Sequence, residues 1–247
     1  MRRLRAVNPV PCKPMRKFAF VITTIAAVFS ASQAAHAIEL KPMTAVYSVT
    51  RDGKAVGDAT YTLKSNGDGT WTLTSVTHGT SGMARMLGLD VREESTFRWR
   101  DGKAEGVRYD YRQDAMIKHK QRQIEFDWSA KQARVRDGKD SFTYPIPAGA
   151  MDRSSVALVL GETLASGTRD VTLPVAVKDH VEQQHFVAQG EEPVQVPAGS
   201  FKAVKFERVD TAGKARSWYA TSVTTLPLRV EQQQGDGATI VLELTQR

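Results

Sequence analysis

From Thr44 onward, apolar and polar residues alternate in short runs, and turn residues interrupt the pattern at roughly 8–12-residue intervals. The run Ile-Glu-Phe-Asp-Trp at 124–128 is one example, with large apolar residues at every second position. Such alternation is typical of a strand that buries one face and exposes the other. The pattern predicts a mainly β protein, in which one large curved antiparallel sheet forms a half-open or closed β-barrel.

The turns between these runs are dipeptides of aspartate and glycine at 52–53, 101–102 and 137–138. These residue types tolerate the positive φ angles that tight hairpins require. One segment, 152–164, favours a helix instead, because Val156, Leu160 and Leu164 recur at helical spacing and Asp152 can serve as the N-cap. We therefore expect one short helix packed against the sheet.

The first 37 residues have the order of a secretory signal peptide. Residues 1–17 contain six basic and no acidic residues, an apolar run follows at 18–29, and Ala-His-Ala ends the segment at Ala37. We expect cleavage between Ala37 and Ile38, which leaves a single β-rich domain over 38–247 in the periplasm. Met15 is also a well-formed start for such a segment, so 1–14 can precede the true start. The apolar run is shorter than the ~20 residues of a membrane span, so the processed chain is not expected to be an integral membrane protein.

Cleavage changes the charge of the chain. The sequence has 34 Lys and Arg against 27 Asp and Glu, a net charge of +7. Six of the basic residues precede Ile38, so the mature domain keeps 28 against 27, a net charge of +1. The single cysteine, Cys12, is removed as well, and no disulfide, thiolate metal site or other cofactor is expected.

The remaining charge is unevenly distributed. Residues 98–139 contain 12 basic and seven acidic residues, with aromatic residues interleaved. Such a mixture also occurs in platforms for single-stranded nucleic acid, but an exported protein does not meet nucleic acid. Alternating aromatic and charged residues are equally typical of a sheet with one packed and one cationic face. We expect an anionic envelope surface, such as lipid headgroups, as a partner of 98–139, and no nucleic acid.

No recognisable catalytic or metal-binding motif is present. The nucleophile elbow, zinc protease, phosphate-loop and dinucleotide signatures are absent from the sequence. His180 and His185 would face opposite sides of a strand, and so would Glu93 and Glu94, so neither pair predicts a shared site. A triad assembled from distant residues remains an alternative.

The segment 80–89, Thr-Ser-Gly-Met-Ala-Arg-Met-Leu-Gly-Leu, breaks the strand pattern. One interpretation is a loop whose apolar residues plug the end of the core. The other is a mobile flap over a hydrophobic groove, since methionine suits adaptable contacts and flanking glycines permit movement. The candidate lining residues of such a groove, any of which can instead be ordinary core, are Trp71, Met83, Met86, Leu87, Phe97 and Trp99.

A family resemblance lies in three segments late in the chain. They are Val-Pro-Ala-Gly-Ser-Phe-Lys-Ala-Val at 196–204, Ser-Trp-Tyr-Ala at 217–220 and Leu-Pro-Leu-Arg-Val-Glu at 226–231. With 124–128 and the Asp-x-x-Ser start of the helix, their order resembles the exported bacterial family known as domain of unknown function 3108. The resemblance covers most of 44–245 and implies an exported, strand-rich Gram-negative protein. The predicted curved sheet also looks like the half-open barrel of periplasmic lipoprotein carriers, which is a likeness of fold alone.

The leading functional prediction is a non-enzymatic periplasmic protein that binds an apolar envelope ligand, such as a lipid or acyl chain. The one-sided apolar alternation and the methionines of 80–89 favour it. An alternative is a structural or assembly factor that docks on an envelope protein complex. An uncharacterised hydrolase is the third hypothesis.

Overall fold

The structure is a computed structural model that describes residues 40–100, 103–116 and 118–247. The predicted signal peptide, the cleavage site between Ala37 and Ile38 and the turn at 101–102 lie outside the described residues. Strands account for most of the described chain, as the alternation predicts.

Fourteen strands and two helices lie in the described residues. In chain order the first half contains β1 (Met43–Arg51), β2 (Lys54–Ser65), β3 (Thr70–Gly79), α1 (Gly82–Met86), β4 (Asp90–Arg100), β5 (Lys103–Ala115), β6 (Lys118–Asp127), β7 (Gln132–Asp137) and β8 (Asp140–Pro145). The second half contains α2 (Val156–Ala165), β9 (Asp170–Ala176), β10 (Val181–Val196), β11 (Gly199–Arg208), β12 (Ala215–Tyr219), β13 (Arg229–Gln233) and β14 (Thr239–Gln246).

All fourteen strands belong to one antiparallel sheet, in the order β8-β7-β6-β5-β4-β3-β2-β1-β14-β13-β12-β11-β10-β9. Apart from β8 and β9, consecutive strands pair with each other, and β1 pairs with β14 to join the two halves. Among the described residues β8 and β9 form the two edges and share no ladder, so the sheet is not closed. The predicted fold class, a mainly β protein with one large antiparallel sheet, is confirmed. Of the two predicted forms, half-open and closed, the sheet has the half-open one.

Turn chemistry explains the hairpins. Asp52 and Gly53 both have positive φ, 49° and 74°, and they connect β1 to β2 in a tight turn. Gly138 has a φ of 64° at the turn between β7 and β8. Aspartate and glycine adopt these angles at little cost, so the strands they join are held in register.

The sheet buries one side, here called the inner face, and exposes the opposite outer face. Leu63, Leu73 and Phe97 on adjacent strands are fully buried on the inner face. Most of the buried apolar residues belong to a main core cluster that also includes α2. A smaller cluster lies beneath β5 to β8 and contains Tyr109, Ile124 and Phe126.

Helix α2 packs into the main core. Val156, Leu158 and Leu160 are buried, and the Tyr219 hydroxyl of β12 donates a hydrogen bond to the Ala157 carbonyl at 2.9 Å. Gly161 allows the closest approach, because a Cβ there would lie 1.9 Å from the Thr225 carbonyl oxygen. The helix is therefore held from the side of β12 as well as by its apolar contacts.

The predicted start of this helix is wrong. Ser155 occupies the N-cap position and the helix begins at Val156. Asp152 instead accepts hydrogen bonds from the backbone N–H groups of Ser154 and Ser155, at 2.8 and 3.2 Å. Its carboxylate stabilises the turn that precedes the helix. Aspartate accepts hydrogen bonds from nearby backbone N–H groups both in such turns and at helix N-caps, so the sequence does not distinguish the two roles.

The segment that follows β8 spans the gap between the two sheet edges. Met151 forms a parallel bridge with Val175 of β9, and the Ala150 carbonyl accepts a hydrogen bond from the N–H of Gly106 in β5 at 2.9 Å. The Tyr144 hydroxyl of β8 also donates to the Val177 carbonyl at 2.7 Å. Lys178, after β9, also pairs with Asp137 and Asp140 at 3.2 and 3.0 Å. The open sheet is thus linked across its gap by one chain segment and by side chains from both edges.

Candidate functional site

The structure does not bring the six predicted lining residues together. Phe97 is fully buried in the main core, and Trp71 and Trp99 pack against that core. Met83 and Met86 belong to α1, which follows the opposite end of β3. Eight residues of strand separate Trp71 from the end of β3, a distance of about 26 Å at the rise of a β-strand. The aromatic and methionine groups therefore lie at opposite ends of the sheet.

The methionines form an exposed apolar surface at one end of the sheet. The exposed fractions of Met83 and Met86 are 62% and 64%, and that of Met116, at the end of β5, is 72%. The N–H of Met116 donates to the Leu87 carbonyl at 2.9 Å, which holds the end of β5 beside α1. We call Met83, Met86 and Met116 the methionine tip.

Close packing holds α1 over the end of the inner face. A Cβ at Gly79 would lie 2.9 Å from the Cβ of Ala84, so only glycine allows the helix this close to β3. The Ser81 hydroxyl donates to the Ala55 carbonyl of β2 at 2.5 Å. Gly82 and Gly88 have φ angles of 55° and 57° where the chain enters and leaves the segment. The predicted loop is thus a one-turn helix with fixed ends and outward-facing methionines.

Cations surround the methionine tip. Arg85 of α1 and Lys118 and Lys120 of β6 are exposed, and none of them has an ion-pair partner within the described ranges. Three acids lie nearby: Asp90 contacts His78, Asp114 contacts His119, and Asp58 accepts a hydrogen bond from the Thr80 hydroxyl at 3.3 Å. The tip therefore combines exposed apolar side chains with three cations that form no ion pair with a described residue.

The basic segment 98–139 has the alternation that the sequence predicts. Tyr109, Ile124 and Phe126 are buried on the inner face. Arg108 and Glu125 lie opposite each other on the outer face, with the guanidinium 3.6 Å from the carboxylate. The aromatic residues of this segment thus contribute to the core, and charged residues such as Arg108 and Glu125 lie on the solvated outer face.

A buried carboxylate lies where the segment before α2 meets the inner face. Asp152 is fully buried, and it accepts a hydrogen bond of 2.5 Å from the hydroxyl of Ser95 in β4. Burial raises the pKa of Asp152 to about 6, because the charged form loses its hydration. The hydrogen bonds from Ser95 and the two backbone N–H groups oppose this shift without cancelling it.

Beside Asp152 lies an ion pair with an aromatic wall. Arg153 donates to the two carboxylate oxygens of Glu93 at 2.9 and 3.1 Å and to the Tyr109 hydroxyl at 2.8 Å. Its guanidinium lies 4.8 Å from the centre of the Tyr111 ring, a cation–π distance. These contacts join the segment before α2 to β4 and β5. Both carboxylate oxygens of Glu93 are hydrogen-bonded in this arrangement.

The described histidines lie at the surface in pairs with aspartate, as His180 with Asp179 and His185 with Asp170. Within the described ranges, no three His, Cys, Asp or Glu side chains converge as metal ligands. None of the hydrogen bonds between described side chains joins a serine to a histidine. The helices of the described chain are too short to cross a bilayer.

Two features of this region were missed by the sequence reasoning. Met116 joins the tip through the register of β5, a signal that is present only in three dimensions. Asp152 gave a helix-cap signal but lies buried against Ser95, a strand residue 57 positions away. Glu93 and Glu94 do point to opposite faces, and only Glu93 contacts Arg153.

The fold defines a class of mainly antiparallel, barrel-like β proteins. A solved structure of this class, a β-barrel-like protein of domain of unknown function DUF1849 from Brucella abortus, is similar to this chain with a TM-score of 0.56 and 13% identity. The similarity covers 84% of this chain and 97% of the Brucella chain, and at this identity it concerns the fold alone.

The family of the chain is known from its sequence. Residues 46–245 match the family described as protein of unknown function DUF3108, and the chain belongs to that family. The resemblance found from the residues is thereby confirmed. No curated protein sequence matches the chain significantly.

Proposed function

We propose that this chain is a non-enzymatic periplasmic protein that binds anionic lipid of the cell envelope through the methionine tip. The observation that carries the proposal is the exposure of Met83, Met86 and Met116 at one end of the described sheet. Of the four large apolar side chains that are exposed in the described chain, three belong to the tip. A contiguous exposed apolar surface marks an interaction site, and methionine adapts to irregular partners such as acyl chains.

The cations beside the tip favour an anionic lipid surface over a neutral one. Arg85, Lys118 and Lys120 have no carboxylate partner in the described chain, so their charge is available to lipid phosphates. A basic side chain near an anionic bilayer contributes about 1 kcal/mol to binding, and salt screens this contribution. Insertion of the methionines and attraction by the cations would act at the same place.

The interior of the sheet supports surface binding over enclosure of a ligand. Phe97, Leu73 and Leu63 fill the inner face beside the position predicted for the groove, and all three are fully buried. Leu158 and Leu160 of α2 occupy the same core. The apolar side chains of the interior pack against one another, whereas no described residue covers the methionines of the tip.

The periplasmic location rests on the sequence of residues 1–37, with its basic start, apolar run and Ala-His-Ala end. Sequencing the N-terminus of the protein recovered from cells tests it. We expect Ile38 as the first residue, and an intact run at 18–29 would contradict export by cleavage.

Lipid binding is tested by co-sedimentation of the purified protein with vesicles. We expect it to sediment with vesicles of phosphatidylglycerol, to bind phosphatidylcholine more weakly, and to lose affinity as salt rises. Met86→Asp replaces an exposed apolar group by a charge that anionic lipid repels, so binding should weaken by at least about tenfold. Val209→Asp is the matched control, because Val209 is exposed and apolar but lies after β11, outside the tip.

Equal binding by wild type and Met86→Asp would contradict the proposal. The assembly-factor hypothesis predicts a different result, namely a stable protein partner that Met86→Asp still captures but that is lost when Lys118 and Lys120 are changed to Glu. Both variants alter exposed side chains, so circular dichroism should show an unchanged fold.

A further inference from the structure

A second candidate site is a groove on the outer face of β4 to β7, away from the inner face and its methionine tip. The groove has a volume of about 570 Å³. Its charged lining comprises five arginines and two acids, namely Arg92, Arg108, Arg112, Arg122, Arg136, Glu94 and Asp110. Arg122 is already paired with Asp137 at 3.1 Å. The lining side chains come from four neighbouring strands, so the register of the sheet sets their arrangement.

The register places two arginines directly opposite each other. Arg92 of β4 and Arg112 of β5 are cross-strand partners, and residues in this relation have Cβ atoms about 5 Å apart on the same face. Like charges at this separation destabilise a sheet unless something between them carries the opposite charge. The pairing is therefore costly for the protein alone and favourable in the presence of an anion.

The acids of the groove neutralise only part of this charge. Arg108 donates to the two oxygens of Asp110 at 2.6 and 3.1 Å, and Arg92 donates to Glu94 at 2.8 Å. Asp110 also accepts from the side-chain amide of Gln123 at 3.2 Å. Arg112 and Arg136 are exposed and make no ion pair with any described residue, so the groove keeps two unneutralised guanidinium groups.

We propose that this groove binds a phosphate group, with Arg112 and Arg136 as its direct ligands. Each guanidinium presents up to five N–H donors in a plane. One carboxylate has only two oxygens to accept them, so two guanidinium groups together offer more donors than a single acid can use. A phosphate has several oxygens and up to two negative charges, and arginine binds it through parallel charge-assisted hydrogen bonds. Arg92, opposite Arg112, adds positive charge to the same place.

This proposal does not depend on the methionine tip. The phosphate can belong to a lipid headgroup or to a soluble phosphorylated molecule, and the groove chemistry is the same for both. The groove lies on the opposite face from the inner-face residues that hold α1, so a change in one site leaves the other intact.

The test follows arginine side-chain N–H signals by NMR while inorganic phosphate is added at constant ionic strength. We expect the signals of Arg112 and Arg136 to shift saturably, and acetate to produce no comparable shift. Arg112→Gln and Arg136→Gln should each weaken phosphate binding by about tenfold. Arg134→Gln is the matched control, because Arg134 lies two residues from Arg136 on the same strand and pairs with Asp127 at 2.6 Å, outside the groove.

The proposal is overturned if the Arg112 and Arg136 signals do not move, if acetate moves them equally, or if Arg134→Gln weakens binding as much as the groove variants. Phosphatidylglycerol vesicles added in a second titration identify the source of the phosphate. Competition between vesicles and inorganic phosphate supports a headgroup ligand, and phosphate binding without competition supports a soluble one. Met86→Asp should bind inorganic phosphate normally, so failure of the tip and failure of the groove are distinguishable.

Discussion

Replacement of the buried carboxyl group by Asp152→Asn should change the way stability depends on pH. The pKa of Asp152 is about 6 in the folded protein, above its ordinary value of 3.8. A group with a raised folded pKa holds its proton longer in the folded state than in the unfolded state. The stability of the wild type should therefore be highest below about pH 4, fall as pH rises to about 6, and change little above that because of this group.

The size of the effect follows from the shift. A rise from 3.8 to about 6 corresponds to about 3 kcal/mol in the free energy of unfolding. Asparagine has nearly the same shape and no charge to bury, and its amide oxygen can accept from the N–H groups of Ser154 and Ser155. Its NH₂ group must then donate to the hydroxyl of Ser95, which reverses that hydrogen bond and lowers stability by about 1 kcal/mol at every pH.

Urea denaturation from pH 4 to pH 8 measures both proteins. Because the cost of the reversed hydrogen bond does not depend on pH, the difference between variant and wild type isolates the titration of Asp152. We expect the variant to gain about 2.4 kcal/mol relative to wild type between pH 4 and pH 7, because part of the full shift is already lost at pH 4. Parallel stability profiles over this range would refute the assignment of a raised pKa to Asp152.

Three further predictions concern other parts of the sheet. Arg112→Gln should stabilise the protein by about 0.5 kcal/mol at low salt, because it removes the repulsion from Arg92, and a lower urea midpoint would contradict this. Gly161→Ala should lower the free energy of unfolding by about 1–3 kcal/mol, because its Cβ would overlap the Thr225 carbonyl; urea denaturation measures it, and unchanged stability would contradict that packing. Hydrogen bonds from Ser129 and Ala130 lower the pKa of Asp127 to about 2. The wild type should therefore lose stability as pH falls from about 4 to 2, whereas Asp127→Asn should not lose this contribution. Acid titration followed by circular dichroism measures both proteins, and identical acid profiles would contradict the lowered pKa.

The strands and turns could be predicted because their signals are local. Alternation over five to ten residues shows which face of a strand is buried, and Asp52 with Gly53 indicates a tight hairpin without reference to the rest of the chain. The existence of α2 was also readable from its apolar spacing. Its start was not, because an aspartate that stabilises a preceding turn has the same sequence signal as an aspartate that caps the helix.

The grouping of site residues could not be predicted, because it depends on register and direction. Trp71 and Phe97 are close to 80–89 in the chain, but an antiparallel hairpin carries them to its far end. Arg92 and Arg112 are twenty residues apart and meet because β4 and β5 pair in one particular register. A single sequence contains no direct measure of that register, so the arginine groove becomes visible only in the folded sheet.

The pairing of β1 with β14 places the two ends of the described chain at the centre of the sheet. Tyr47 pairs with Leu244, so the central ladder forms only after the last strand has been synthesised. Until then β1 has a free edge, and the two halves of the sheet have no ladder between them. Contacts between such distant residues form slowly, and we expect the joining of the two halves through β1 and β14 to be the slow step in folding of the described sheet.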